Sequence, residues 1–269
     1  MSTGRDDAPA TRAIDLEVEV PGTPEQVWEA VASGPGITAW FIPAKVDGRV
    51  DGTVEMDFGP GYGTERARIT AWEPPRRFVA EVAAEGRPTF ATEWLVEARD
   101  GGTCVVRLVN SGFGPGDEWD ADYEGLSTGW RIFLENLRLH LTHFRGRVAR
   151  AVIPTAMTPG PGDVAWSRLC TALGVPEDLG ASDRFATSGE GVPGLVGRVE
   201  GASFAPMVRT YHLLLEEPAP GTAFVTVEGN GEVVAASAYL YLYGGNDDAG
   251  ADWTTWLPSV MPAVSPAGR

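Results

Sequence analysis

The sequence predicts an α+β fold in which a curved antiparallel sheet wraps around one long C-terminal helix. Two observations lead to this prediction. Residues 53–110 contain five successive strand patterns with short turns between them, which is typical of an antiparallel meander. Residues 123–147 then form an amphipathic segment with one broad apolar stripe. Such a stripe needs an apolar partner, and the apolar faces of the strands provide one.

The first strand and the short helices after it are predicted from alternation and capping residues. Residues 14–20 alternate between apolar and acidic side chains, as in a strand with one face in water. Thr23 can cap a helix that has Pro24 at its first position, and Gln26 completes a capping box. A second short helical turn is predicted over residues 34–40.

The strands of the meander are bounded by glycine, proline and acidic turn residues. Val54, Met56 and Phe58 share one face of the first of these strands, and Thr92 and Trp94 share one face of the fourth. These apolar faces are expected to contact the long helix. The predicted strands are Thr53–Phe58, Thr64–Trp72, Arg76–Val82, Thr89–Glu97 and Thr103–Asn110.

The long helix is predicted to begin near Asp120 and to end near Gly146. Acidic residues, Asp117 to Glu124, precede and open it, and arginines close it, which complements the helix dipole. Its apolar stripe consists of Leu126, Trp130, Phe133, Leu134, Leu137, Leu141 and Phe144. The polar residues between them are expected to face away from the sheet: Arg131, Glu135, Asn136 and Arg138.

The second half of the chain carries a weak repeat of the first. Pro159-Gly160 and Trp166 follow Pro21-Gly22 and Trp28 at the same separation of 138 residues. A helix is predicted at 163–173, and a short closing helix is expected because Pro258 and Pro262 forbid a long one. Strand patterns return at Leu195–Val199, Val208–Leu215, Ala223–Glu228 and Val233–Tyr243.

Three segments of domain organisation are predicted from these patterns. Residues 1–12 are expected to be a disordered lead-in and 13–148 to be the sheet-and-helix domain. Residues 149–269 are either a degenerate second copy of that domain or an extension packed on it. A repeat of so few identities leaves both alternatives open.

Composition excludes some classes of partner. The net charge of −16 argues against nucleic acid or an anionic membrane surface as the main partner. The sequence shows no signal peptide and no membrane span, and Cys104 and Cys170 are too few for a disulfide framework, so a cytoplasmic location is expected. Lys45 is the only lysine, which indicates a GC-rich, bacterial genome.

Four segments together resemble the SRPBCC superfamily, whose members have the START-like, helix-grip fold. Within it, they are similar to the C-terminal domain of the activator of heat-shock-protein-90 ATPase. The resemblance covers roughly the first half of the chain and rests on Pro24–Trp28, Gly36–Phe41, Ala71–Phe78 and Gly129–Leu137. It implies ligand binding, and the superfamily also contains aromatic polyketide cyclases. The family name implies a third alternative, a co-chaperone that stimulates an ATPase.

A ligand cavity is expected between the curved sheet and the long helix. Pockets of this kind are apolar with a few polar groups that fix orientation. The competing interpretation is that the same side chains simply fill the core. Glu65 and Arg68 lie on opposite faces of one strand, so at most one of them can point inward. The candidate ligand-binding residues are Trp40, Phe58, Trp72, Phe90, Trp94, Asn110, Trp130, Phe133 and Leu137.

The sequence offers little evidence for catalysis or metal binding. His140 and His143 are three residues apart, but no third ligand has suitable spacing, and both are expected to be solvated. His212 is assigned a structural role. Ser111 is not in a GxSxG elbow, and the glycines of residues 189–194 lack the strand and helix of a nucleotide site. No catalytic residue, metal or cofactor is therefore predicted.

The predicted function is binding of a small, largely apolar molecule in the first domain. A cofactor-free cyclase is the enzyme alternative, and it would need a polar group or two in the pocket. A homodimer is possible, with the second half as a dimerisation or lid module. No protein partner can be named from the sequence.

Overall fold

A computed structural model of the protein describes residues 12–59, 63–83, 89–114, 119–245 and 248–264. The first half contains β1 (Arg12–Pro21), α1 (Pro24–Ala32), α2 (Gly34–Thr38), β2 (Ala44–Val46), β3 (Thr53–Asp57), β4 (Thr64–Glu73), β5 (Arg77–Val82), β6 (Phe90–Arg99), β7 (Thr103–Phe113) and α3 (Asp120–His143). The second half contains β8 (Arg150–Val152), β9 (Thr155–Pro159), α4 (Gly162–Leu173), β10 (Arg184–Ala186), β11 (Val196–Ala205), β12 (Val208–Glu217), β13 (Gly221–Glu228), β14 (Val233–Leu242) and α5 (Trp253–Val260).

The first sheet is antiparallel, with the strand order β1-β7-β6-β5-β4-β3-β2. Its inner face packs on α1, α2 and α3 through a single core cluster that includes Val27, Trp40 and Leu137. Thr23 caps α1 and forms the predicted capping box with Gln26. The predicted α+β fold, a curved sheet around one long helix, is confirmed.

The outer face of the first sheet lies in water and carries pairs of opposite charges on neighbouring strands. Arg107 of β7 binds Asp15 of β1, and Arg77 of β5 lies 2.5 Å from Glu93 of β6. Such exposed pairs contribute little to stability, but they keep this face soluble in water and specify its register.

The second sheet repeats the arrangement of the first. Strands β10 to β14 follow one another, and β9 pairs with the last strand, β14, as β1 pairs with β7. Helix α4 follows β9 as α1 follows β1, with Trp166 buried in the position that corresponds to Trp28. The closing helix α5 has 8 residues and contains Pro258, whereas α3 has 24. The second half is therefore a shortened second copy.

Helix α3 lies between the two sheets. One side of it contacts the first sheet, and the other side joins a cluster that contains Ile132, Phe144 and Phe224. The Tyr241 hydroxyl donates to the Phe41 carbonyl at 2.7 Å, and the Tyr243 hydroxyl donates to the Ala39 carbonyl at 2.8 Å. The two halves thus share a buried interface that is both apolar and hydrogen-bonded.

This double burial corrects the prediction that the polar residues of α3 all face away. Asn136 is fully buried, and its amide donates to the Trp40 carbonyl at 2.7 Å. The helix ends at His143, with Phe144 at its C-cap, slightly before the predicted Gly146. Arg131 is exposed as expected.

Some other predictions are adjusted. Strand β3 ends at Asp57, and Phe58 leaves the face of Val54 and Met56 because its amide donates to Gly63 in a turn. The strands of three residues, β2, β8 and β10, were not predicted. Arg12 belongs to β1, and the rest of the predicted lead-in, like Asp117 and Glu118 of the acidic run, lies outside the described residues.

Candidate ligand-binding site

A cavity of about 50 Å³ lies between the first sheet and α3. We call it the α3 cavity. It is bounded by the inner faces of β3 to β6 and by residues from α1, α2 and α3, so its walls are almost entirely apolar. It is lined by Val31, Ile37, Trp40, Phe41, Val54, Met56, Glu65, Ala67, Phe78, Ala80, Val82, Thr92, Trp94 and Trp130.

Three tryptophans form one wall of the α3 cavity. The rings of Trp40 and Trp94 are 5.8 Å apart, and those of Trp94 and Trp130 are 5.6 Å apart, both edge to face. The indole N–H of Trp40 donates to the Ala30 carbonyl at 2.9 Å, which fixes that ring. The wall is therefore rigid and presents aromatic surface to the cavity.

Two buried polar atoms at this site have no hydrogen-bond partner in the described part of the chain. One is the indole N–H of Trp130, and the other is the side-chain oxygen of Asn110. The amide nitrogen of Asn110 donates to the Thr92 hydroxyl at 2.6 Å, and Thr92 lines the cavity. Buried polar groups are rarely left unpaired, and Trp130 lines the cavity, so its N–H is available to a polar group of a ligand or to water.

Glu65 lies at the rim of the α3 cavity, on the same face of β4 as Ala67. Arg68 faces the other way and pairs with Asp51, so only one of the two residues points inward, as predicted. The side chain of Glu65 is exposed at the rim, yet the protein around it raises its pKa by desolvation.

The other predicted ligand-binding residues lie elsewhere. Leu137 is fully buried in the core. Trp72 packs on Trp28 at 5.0 Å between ring centroids, and Phe90 packs on Phe113 at 5.5 Å.

Two more candidates face the second half of the chain. Phe133 contacts Phe224 and Tyr239 of the second sheet. Phe58 is 39% exposed, because the turn after β3 carries it away from the cavity. Trp40, Trp94 and Trp130 are therefore the predicted residues that the structure brings together around the cavity. Phe41 and Phe78 were missed as lining residues, although the aromatic content of their segments was visible in the sequence.

Two of the three histidines, His140 and His212, lie at the interface between the halves. The prediction that His140 is solvated is wrong: it is 2% exposed, its Nδ1 lies 2.7 Å from the Tyr243 hydroxyl, and burial lowers its pKa to about 4. Nε2 of His212 lies 3.2 Å from the Ile132 carbonyl. Within the described ranges, no group of three or more histidine, cysteine or acidic side chains could hold a metal ion.

In each half, a curved antiparallel sheet packs on helices, which defines the START-like, helix-grip class of fold. The chain contains two copies of this fold. Residues 21–142 match the model of the family described as activator of Hsp90 ATPase homolog 1-like protein. This match agrees with the sequence resemblance to the same family over the first half of the chain. The match suggests ligand binding as the general class of function. No curated protein matches the chain.

Several solved structures are similar to the chain. DynU16, a protein in the dynemicin biosynthetic locus, is 15% identical; the match covers 93% of this chain and 95% of that one, with a TM-score of 0.42. BH1534 from Bacillus halodurans is 22% identical over 48% of this chain and 96% of its own, with a TM-score of 0.43. The Aha1 dimer from Colwellia psychrerythraea is 19% identical over 50% of this chain and 99% of its own, with a TM-score of 0.43.

None of the described helices combines the length and the apolar composition that crossing a membrane requires.

Proposed function

We propose that the protein binds a small, largely apolar molecule in the α3 cavity. The observation that carries this proposal is the combination of aromatic walls with the unpartnered indole N–H of Trp130. Ligand pockets are typically apolar with a few polar groups that orient the ligand. The bound molecule would place an aromatic or alicyclic ring against Trp94 and a hydrogen-bond acceptor near Trp130.

The size of the α3 cavity limits how such a ligand can bind. A cavity on the order of 150 Å³ accommodates benzene, whereas this one measures about 50 Å³. Binding therefore requires side chains at the rim to move outward. Met56 lies there, and its unbranched side chain can change rotamer at low cost. The ligand is accordingly expected to be one or two rings in size rather than a long chain.

Native mass spectrometry of protein purified from its own host tests this proposal. An additional mass that is lost on denaturation is expected in the wild type. Ala67→Leu should abolish it, because Ala67 is buried and lines the cavity. Ala91→Leu is the matched control, since Ala91 lies on the opposite face of β6 from Trp94. A protein that carries no additional mass, and that no panel of lipids or aromatic polyketides stabilises, would contradict the proposal and favour a filled core.

A second candidate function is that of a cofactor-free cyclase for aromatic polyketides. The raised pKa of Glu65 favours it, because desolvation at the rim of an apolar cavity makes this carboxylate a better proton acceptor than a fully hydrated one. In this case Glu65→Gln should abolish turnover of an aromatic polyketide chain while leaving its binding within about threefold. Equal turnover by the wild type and Glu65→Gln would show that Glu65 takes no part in the reaction. If the wild type binds the polyketide chain without turning it over, only the binding function is left.

We also propose that the protein acts in the cytoplasm without a nucleic-acid or membrane partner. The net charge of −16 and the two buried, free cysteines, Cys104 and Cys170, support this. A homodimer stays a prediction, which light scattering coupled to size-exclusion chromatography would test.

A further inference from the structure

A second and larger cavity lies between the two halves of the chain. We call it the central cleft; its volume is about 370 Å³, within the range of small-molecule sites. The first half contributes the segment after α2 and the end of β3, and the second half contributes β8, β9, β13 and β14 with their links. It is lined by Ile42, Pro43, Asp57, Phe58, Gly59, Ala151, Ile153, Thr155, Glu228, Ala235, Ser237 and Tyr239.

The central cleft exists because β14 presents small side chains to the first half. Ala235 and Ser237 lie on the face of β14 that is opposite the core of the second sheet, and they leave space that larger residues would fill. The Tyr239 ring, 4.2 Å from the Phe224 ring and stacked on it, forms the inner wall. Phe58, 39% exposed, contributes apolar surface from the first half. The cleft is thus walled by both halves.

A row of hydroxyl groups crosses the second sheet beside the cleft. Thr210, Thr226, Ser237 and Thr155 are consecutive register partners on β12, β13, β14 and β9. The hydroxyls of Ser237 and Thr155 are 3.0 Å apart. Those of Thr210 and Thr226 are buried and have no partner within the described part of the chain. Ser237 and Thr155 line the cleft, so its floor carries uncharged hydroxyl groups, while Thr210 and Thr226 continue the row beyond the lining.

The charged side chains that line the cleft, among the residues described, are both acidic. Glu228 lies at the end of β13, opposite Ala235, and makes no hydrogen bond or ion pair with any described side chain. Asp57 faces it from the first half and accepts a hydrogen bond from the Gly59 amide at 2.9 Å. Burial raises the pKa of Glu228 to about 7. The surface of Glu228 remains partly accessible because the cleft is open, although protein surrounds it on most sides.

We infer that the central cleft is a second ligand site, which binds a compact apolar molecule that carries one protonated amine. The amine would pair with Glu228 and donate to the neighbouring hydroxyls, while its hydrocarbon body contacts Ile42, Phe58 and Tyr239. Two carboxylates without a basic neighbour in the lining favour a cation and disfavour an anion. This site is separate from the α3 cavity and does not depend on the proposed function.

Three probes of matched size test the inference on the full-length protein: 2-phenylethylamine, 2-phenylethanol and phenylacetate. Binding is measured by ligand-observed NMR titration at pH 8, where Glu228 is charged. The amine is expected to bind about tenfold more tightly than the alcohol, as a charge-assisted hydrogen bond would give. Phenylacetate is expected not to bind. Lowering the pH to 6 should weaken binding of the amine, because Glu228 is then mostly protonated.

Two variants locate the site and one serves as a control. Glu228→Gln should abolish the preference for the amine over the alcohol, and Ala235→Leu should block all the probes by filling the cleft. Ala67→Leu, which fills the α3 cavity, should leave the affinity for the amine unchanged. Equal binding of amine and alcohol by the wild type, or an undiminished preference in Glu228→Gln, would overturn the inference. If Glu228→Gln does not fold by circular dichroism, Ala235→Leu decides: retained amine binding overturns the inference, and lost binding supports it.

Discussion

The two sheets share an antiparallel meander and a helix after the strand that pairs with the last strand, but they use their faces differently. The first sheet buries one face against α3 and exposes the other, which carries ion pairs such as Asp15 with Arg107. The second sheet buries both faces: one packs on α4 and α5, and the other packs on α3. Every residue of β13 except Glu228 is buried.

This difference shows how one architecture can form two kinds of cavity. In the first half, the space lies between the sheet and its own long helix. In the second half, Trp166 and Trp253 help to fill the corresponding space, and both are almost completely buried. The outer face of the second sheet, rather than its inner face, then borders the larger cleft. The position of a cavity in a helix-grip protein therefore depends on which face of the sheet is left incompletely packed.

Removal of the second half should have the largest effect of the changes that test this difference between the two sheets. A chain of residues 1–150 would expose Ile132, Phe144 and the outer side of α3 to water. We expect it to aggregate or to lose about 10 °C or more in melting temperature, because an apolar surface of this kind is not tolerated on a monomer. Circular dichroism and light scattering would measure this. A monomeric fragment that melts like the full chain would show that the halves are independent.

One substitution on each sheet can compare the two outer faces. Phe224→Ala on the second sheet should reduce the free energy of unfolding by about 3–5 kcal/mol, because the Phe224 side chain is fully buried against α3. Arg107→Ala, on the outer face of the first sheet, should change it far less, because its ion pair with Asp15 is exposed to water. Urea unfolding of both variants provides the measurement. Similar losses in the two variants would mean that the faces do not differ as described.

The smallest expected effect concerns the pH dependence of stability. Burial raises the pKa of Glu228 from 4.5 to about 7 in the folded protein, so between these pH values the folded state binds more protons than the unfolded state. Stability should therefore fall as the pH rises through this window. Glu228→Gln should remove this loss and be more stable than the wild type at pH 8 by about 3 kcal/mol, but not at pH 4.

Urea unfolding of Glu228→Gln at pH 4, 6 and 8 would measure this effect. The exposed Glu232, four residues further along the chain, provides a matched control, and Glu232→Gln should leave the pH dependence of the wild type unchanged. A parallel pH profile in wild type and Glu228→Gln would mean that Glu228 is well hydrated in the folded protein.

The sequence predicted the fold well where local periodicity carries the information. Alternation located the long strands, and the repeated Pro-Gly and Trp positions pointed to the second copy. It failed for α3, where His140 was expected in water and Asn136 on the side away from the sheet. A buried polar residue that is hydrogen-bonded to the partner surface has the same sequence pattern as an exposed one, so periodicity cannot distinguish them. The short strands β2 and β10 contain too few residues to show any alternation.

The candidate site was predicted less completely than the fold. Trp94 and Trp130 followed from facing stripes of a strand and a helix, which are local properties. Phe58 was misplaced because the end of β3 depends on a turn, and one residue of difference changes the face that a side chain occupies. Glu228 could not be recognised, because its burial depends on how the two halves pack, and this arises only from contacts distant in the sequence.

The α3 cavity and the central cleft are separated by a partition that is only a few aromatic rings thick. Phe41 lines the α3 cavity and Tyr239 lines the central cleft. The ring of Phe133 lies between them, with its centroid 4.4 Å from that of Phe41 and 5.4 Å from that of Tyr239. Phe41 contacts Phe133, and Phe133 contacts Tyr239, so a series of ring contacts joins the two cavities. Any resulting linkage between the occupants of the two spaces would be reciprocal, since each would change the affinity for the other by the same factor.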